Sequence, residues 1–216
     1  GGHGYFFGPD QPSSARRLLD TYLERGEKAF SDLDGEFAFV LHDGRTSTLY
    51  LGRDSFGTKP LFRCSTGERV VLATELRHIL PFLDAPPQLE YDHIRALFEF
   101  GWAPTRPWST VYRRIHRVLP SQILKLSRGA EHRWLTWEPP RTVDRRLDAP
   151  TVARLIPEIL RRSLRRRRLT KPAFLLSGGL DSPFVAAVAV SDPDTRARFG
   201  PRPTALTHVS PGHPVD

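Results

Sequence analysis

The hexapeptide Ser177-Gly178-Gly179-Leu180-Asp181-Ser182 constrains this chain more than any other stretch, because of what flanks it. Ahead of it runs Ala173 to Leu176, four apolar residues. Behind it Pro183 opens an apolar stretch that continues to Val190. A short apolar run before a Gly-Gly turn reads as a buried strand, and the stretch after it reads as a helix with Pro183 at its first position, where proline is favoured. A second strand is expected over Thr204 to Val209. Strand, helix and strand in that order, with apolar strands, argue for a parallel α/β layer in this half of the chain.

A loop that hands a strand over to a helix is an anion site by construction. Two glycines let backbone N–H groups approach a phosphate chain, Ser177 and Ser182 offer hydroxyl donors, and the helix N-terminus adds partial positive charge. Asp181 is the odd member, since a carboxylate beside phosphate repels it unless a cation intervenes. Its presence therefore implies Mg²⁺, shared between the carboxylate and phosphate oxygens. No lysine follows the second glycine at the spacing of G-x-x-x-x-G-K-[ST], so this is not that phosphate loop. The bland reading is a glycine-rich strand-to-helix turn. Six specified residues in the right context favour phosphate binding, and the hexapeptide resembles the pyrophosphate-binding SGGxDS loop of the ATP-pyrophosphatase families.

At 216 residues the chain can bury a genuine core in two small domains. It contains no methionine and begins Gly1-Gly2-His3-Gly4, which we read as a piece of a longer protein. No apolar run approaches the ~20 residues of a membrane span. A single cysteine, Cys64, has no internal disulfide partner and reads as a small packed residue, and no Cys/His cluster has zinc spacing. The net charge of +8 raises the question of a nucleic-acid partner. The densest basic run, residues 161–168, ends a segment whose apolar residues Val152, Leu155, Ile156, Ile159, Leu160 and Leu164 recur at helical spacing. Cations at a helix C-terminus are favoured by its dipole, and no aromatics interleave for base stacking. The run reads as a solvated helix end, with no specific nucleic acid implied.

Along the chain, Ser13-Ser14 is positioned to cap a helix over Ala15 to Arg25, stopped by Gly26. Phe37 to Leu41 and Thr46 to Arg53 read as two strands joined by a tight turn at Asp43-Gly44. A strand at Val70 to Ala73, a short helix near Glu75 to Leu80, a helix from Asp92 to Phe100 and an extended segment from Ile123 to Trp137 follow. Proline-rich stretches at 81–87 and 137–140 bracket a change of module. The expected division is residues 1–85, a connecting segment 86–150, and residues 151–216.

Three further stretches carry a second resemblance. Leu33-Asp34-Gly35-Glu36-Phe37-Ala38-Phe39, then residues 52–62 from Gly52-Arg53-Asp54 to Pro60-Leu61-Phe62, then Ala73-Thr74-Glu75 resemble the second half of the glutaminase-type domain of the asparagine synthetase family. Residues 114–120 resemble its segment leading into the synthetase domain, with Ser121-Gln122 in place of the usual Pro-Gly. The bland reading of Gly52 to Phe62 is a strand ending in a structured turn, with Arg53 and Asp54 as an internal ion pair and Gly57 at a special backbone angle.

The resemblance implies the later part of an N-terminal-nucleophile type αββα domain followed by the start of a parallel-sheet ATP-pyrophosphatase domain. It implies an ATP- and Mg²⁺-dependent carbon–nitrogen ligase working through an acyl-adenylate. Its closest expected form is a cytoplasmic, glutamine-hydrolysing asparagine synthase, with aspartate as carboxylate, glutamine as amine donor and a homodimer admitted. The alternatives are a glutamine-independent relative closing an amide within one substrate, as β-lactam synthetases and lasso-peptide cyclases do, or an inert fragment. On this resemblance Ser177, Gly178, Gly179, Leu180, Asp181 and Ser182 hold pyrophosphate, Asp181 meets the metal, Leu175 lies near the nucleotide and His208 falls toward adenine. For His208, ordinary packing within a strand is the reading preferred over an adenine contact. The family's catalytic cysteine nucleophile and Asn-Gly oxyanion pair are expected upstream of Gly1, so no catalytic residue is expected within the chain and Cys64 is not the nucleophile. Further synthetase residues are expected beyond Asp216, leaving this piece inactive alone. Ser14 stands where an acidic residue gripping the glutamine amine is expected, and a hydroxyl cannot replace that charge.

Overall fold

The computed structural model describes residues 2–6, 14–66, 69–101, 106–143, 146–167 and 172–209, with the backbone alone at 2–6 and 14. Two compact units divide the chain, Gly1–Pro140 and Arg141–Asp216.

The first unit contains β1 (Gly2–Phe6), α1 (Ser14–Arg25), a 3-10 helix (Gly26–Asp32), β2 (Gly35–Asp43) and β3 (Thr48–Arg53). Next come β4 (Phe62–Thr66), β5 (Arg69–Ala73), two 3-10 turns (Leu76–His78 and Leu80–Phe82), α2 (Tyr91–Phe100), β6 (Ile115–Arg117), β7 (Gln122–Ser127) and β8 (Ala130–Leu135). One antiparallel sheet has the order β1-β2-β3-β7-β8, and a smaller one β5-β4-β6. The stretch 86–150, read from sequence as a connector, thus supplies β6, β7 and β8 to these sheets.

Strand alternation builds the layers. Phe37, Phe39 and Leu41 of β2 point to one side, where they join Leu18 and Tyr22 of α1, Phe30, Tyr50 and Ile123. The rings of Tyr22, Phe30, Phe39 and Tyr50 lie 5.1 to 5.6 Å apart, the offset and tilted spacing aromatic pairs prefer. Ala38, between these positions, faces the other way and packs with Leu51, Leu61, Val118 and Leu124. Cys64, Ile79 and Ile115 form a third cluster that joins the small sheet to the 3-10 turns. Helix, sheet, sheet and short helical turns follow in layers, the αββα order expected from sequence.

Three local expectations change. The β2–β3 connection takes four turn residues, 44–47, with Ser47 at φ 50°, so it is looser than a two-residue turn at Asp43-Gly44. Residues 122–135 form a hairpin, not one extended segment. Arg128 and Gly129 turn it at φ 46° and 80°, and no Asn-Gly or Asp-Gly signal announced that turn. The helix expected near Glu75 to Leu80 is two 3-10 turns.

The second unit contains α3 (Ala149–Arg166), β9 (Ala173–Leu176), α4 (Asp181–Ser191), α5 (Pro193–Phe199) and β10 (Thr204–Thr207). The β9–β10 pair is parallel, with Leu175 opposite Leu206. Sequence reading passed over α5 although its signals were present. Asp192 caps it, accepting from the Thr195 amide at 3.1 Å, Pro193 begins it and Gly200 ends it.

Candidate functional site

Residues 177–182 lie between β9 and α4 in the expected order. Gly178 has φ 77°, a left-handed conformation that turns the chain out of the strand and that side-chain-bearing residues resist. The helix begins at Asp181, so Pro183 is its third residue and not its first; the first intrahelical bond runs from the Phe184 amide to Leu180 O at 3.1 Å. Proline at that position removes one of the first-turn donors, which leaves the amides of Asp181 and Ser182 at the helix start. The amides of Gly178, Gly179 and Leu180 meet no protein acceptor among the described residues.

Ser182 closes the loop on itself. Its Oγ accepts the Ser177 amide at 3.0 Å and lies 3.1 Å from Ser177 Oγ. The two hydroxyls are thereby paired at the loop mouth, with Ser177, Gly178, Gly179, Leu180 and Asp181 all exposed. The Asp181 carboxylate has no side-chain partner among the described residues. Mg²⁺ is commonly held by one or two carboxylates plus substrate phosphates, so one unpaired carboxylate beside free amides and hydroxyls fits it.

Leu175 is 77% exposed on the sheet face opposite Phe174, whose ring stacks on Phe199 at 4.3 Å. His208 follows β10 directly and is exposed. Strand packing, the reading preferred from sequence for His208, gives way here: β10 ends at Thr207 and His208 is exposed beyond it. The parallel register pairs Thr207 with Leu176, so His208 and Ser177 both leave the carboxyl ends of neighbouring strands. In open parallel sheets ligands bind outside that edge. The structure therefore brings the loop and His208 to one edge and sets Leu175 on the bare sheet face beside them.

The basic run has a structural use that charge counting missed. Arg165 pairs with Asp192, whose side chain is almost fully buried, and Asp192 also accepts from Thr195 Oγ1 at 2.7 Å. The Arg165 guanidinium, together with the Thr195 donors, holds the Asp192 carboxyl well below the usual carboxylate range. Arg198 donates to Arg167 O at 2.7 Å and Arg165 O at 3.0 Å, capping the end of α3 from α5.

In the first unit, Arg53 and Asp54 are not paired with each other. The Arg53 guanidinium donates to three carbonyls, those of Gly57, Lys59 and Val118. The Asp54 carboxylate accepts from the amides of Phe37, Phe56 and Thr58 and from Thr58 Oγ1. Each charged group organises backbone, so this turn is scaffold. Cys64 is fully buried, and burial pushes its thiol up, as befits a packed residue. Ser14 opens α1, but its side chain and Ser13 lie outside the described residues. Ser121 stands at φ 61°, and its hydroxyl accepts the Trp137 amide at 2.6 Å.

No helix among the described residues is long and apolar enough to cross a membrane. The glutamine amidotransferase domain family matches residues 11–137, which is nearly the whole first unit and more than half the chain. Among curated proteins, the chain is 28% identical over 189 residues to glutamine-hydrolyzing asparagine synthetase 3 of Bacillus subtilis, covering 83% of this chain and 29% of that protein. It is 30% identical over 183 residues to amidase chyE of Penicillium rubens, with 82% and 26% covered. It is 26% identical over 194 residues to the glutamine-hydrolyzing asparagine synthetase of Mus musculus, with 79% and 30% covered. The chain spans under a third of the length of these relatives. Each match is longer than the first unit, so the likeness runs on into the second. The layered first unit and these matches agree: the chain belongs to the glutamine amidotransferase domain family.

Proposed function

We propose that this chain is part of an ATP-dependent amide ligase that makes asparagine, taking nitrogen from glutamine and activating the aspartate carboxylate as an acyl-adenylate. One observation carries the reading: residues 177–182 present free amides, two paired hydroxyls and an unpaired carboxylate at the carboxyl edge of parallel strands. The amides of Gly178, Gly179 and Leu180 and the start of α4 would hold pyrophosphate oxygens as negative charge moves onto the leaving group. Ser182 keeps the loop in shape through its bond to the Ser177 amide, and Asp181 would hold Mg²⁺. When bound, that ion neutralises developing charge on the phosphates. Leu175 and His208 would lie toward the nucleoside of a nucleotide bound at this edge. No residue of the loop forms a covalent bond to substrate. Family membership of the first unit supports glutamine as donor.

ATP–pyrophosphate exchange by the complete parent protein, with aspartate present, tests this directly. Asp181→Ala should lower exchange by ~10²-fold or more, the scale of losing one charge-stabilising group. Undiminished exchange would refute the role of the loop. The alternative, an amide closed within one substrate without glutamine, rests on Ser14 standing where an acidic residue is expected. Release of glutamate from glutamine by the complete protein excludes that alternative, and its absence favours it.

A further inference from the structure

A second feature lies within the first unit. A cavity of about 190 Å³ is lined by Arg63, Trp108, His116, Arg117, Gln122 and Arg133, among others. A second cleft of about 300 Å³ shares the Arg63 and His116 wall and adds Arg113 and Arg114. Three of the lining side chains of the first cavity are guanidinium cations. The acid beside them is Glu131, which accepts from Arg63 at 2.7 and 3.1 Å and lies 3.6 Å from Arg133. Three positive charges against one negative leave two uncompensated.

Among the described residues, Arg117 is the member whose side chain is left without a hydrogen-bond or ion-pair partner. Its Nε is buried and has no hydrogen-bond partner, and His116 Nδ1, on the same short strand β6, is buried and unpartnered as well. Buried polar groups are almost always satisfied, and a half-buried cation without a counter-ion is costly. The Arg117 charge is felt around it: after burial itself, it further lowers the pKa of His93, and it does the same to Arg53, where Asp54 acts in the opposite direction. Three arginines around one cavity, with one carboxylate between two of them, make a lining suited to an anion.

We propose that this cavity is a binding site for a tetrahedral oxyanion, either free phosphate or the phosphate of a small metabolite. A phosphate carries close to two negative charges at neutral pH and offers several strong acceptors, which matches the residual charge of the lining arginines. Planar, bidentate donation suits guanidinium groups to phosphate oxygens. A single carboxylate would leave one cation unmatched. Trp108, 43% exposed at the cavity wall, gives the remaining volume an apolar surface for the carbon part of a small phosphomonoester.

Isothermal titration calorimetry on the full chain, without divalent cations and at constant ionic strength, tests the site with inorganic phosphate and with glycerol phosphate. Saturable phosphate binding supports a free oxyanion, and tighter binding of glycerol phosphate supports a phosphomonoester. Binding of neither overturns the proposal. Arg117→Gln should weaken binding roughly tenfold or more, as expected for loss of a charge-assisted contact. Its unfolding midpoint in chloride should be close to that of the unaltered chain, because no hydrogen bond or ion pair of the Arg117 side chain is lost among the described residues. Loss of binding in Arg117→Gln, a substitution that leaves residues 177–182 untouched, separates this cavity from that loop. Should Arg117→Gln not fold, Arg133→Gln, at a side chain 65% exposed, supplies the same comparison. Equal phosphate affinity in the foldable variant and the unaltered chain would sink the assignment.

Discussion

Replacing Asp54 by alanine tests how much of the first unit hangs on one carboxylate. Asp54 is 3% exposed and its two oxygens take four donors from three residues, one on β2 and two in the turn. The Phe37 amide reaches it at 3.2 Å from β2, the Phe56 amide at 3.1 Å from the turn, and Thr58 bonds it twice, through its amide at 3.0 Å and its hydroxyl at 2.7 Å. Hydrogen bonds to a charged group contribute ~1.5 to 3 kcal/mol each but are not additive, so alanine should cost about 4 kcal/mol once the orphaned amides partly find water. That is a large share of the ~5 to 15 kcal/mol that stabilises a typical domain. Asparagine keeps one acceptor and turns a donor toward the amides, and should cost about half as much. All four tryptophans precede Pro140, so urea unfolding followed by tryptophan fluorescence reports on the first unit alone. A loss below about 1 kcal/mol in the alanine variant, with an unchanged slope, would refute the view that Asp54 organises this turn.

Two further outcomes follow from the geometry. Gly57→Ala should destabilise the first unit by about 2 kcal/mol or more, because Gly57 sits at φ 62° and a Cβ there would lie 2.6 Å from the Arg53 guanidinium and 2.9 Å from Pro120; a urea midpoint equal to that of the unaltered chain would count against it. Acid should loosen the second unit through Asp192. Its carboxyl is held below its ordinary value in the folded chain, so its stabilisation is complete above the usual carboxylate range and is lost as pH falls through that range and below. Far-ultraviolet circular dichroism from about pH 5 to about pH 2 should show an acid transition that Asp192→Asn reduces, whereas an unchanged transition would show that Asp192 is not its source.

What could be read from sequence divides by the range of the interactions involved. Helix α1 and strand β9 were legible because their signals are carried by neighbouring residues: an apolar stripe ended by Gly26, and a short apolar run before two glycines. The β7–β8 hairpin was not, because its turn places Arg128 in a conformation usually taken by glycine or asparagine, and register with β3 supplies the preference that the turn residues lack. Arg53 and Asp54 were legible as important but not in their pairing. Adjacent opposite charges invite an ion pair on paper, whereas in an extended strand neighbouring side chains point to opposite faces. Each reaches backbone instead, as far as Val118 for Arg53 and Phe37 for Asp54.

The two candidate sites fall on either side of the same divide. Residues 177–182 close through bonds spanning five positions, Ser177 to Ser182, so six consecutive letters contain the whole geometry and its chemistry can be argued before any fold is known. The arginine cavity has no such signature. Arg63 comes from β4, Arg117 from β6, Gln122 from β7 and Arg133 from β8, and only the pairing of β4 with β6, the pairing of β7 with β8 and the packing of the two sheets bring those positions around one cavity. In sequence each arginine dissolves into the general basic excess of +8, where it reads as surface charge. Burial is what separates the two meanings: a solvated arginine needs no partner, while the buried Nε of Arg117 does. Net charge alone therefore could not distinguish a cation held for a ligand from one held for solubility, and the folded position of a single nitrogen can.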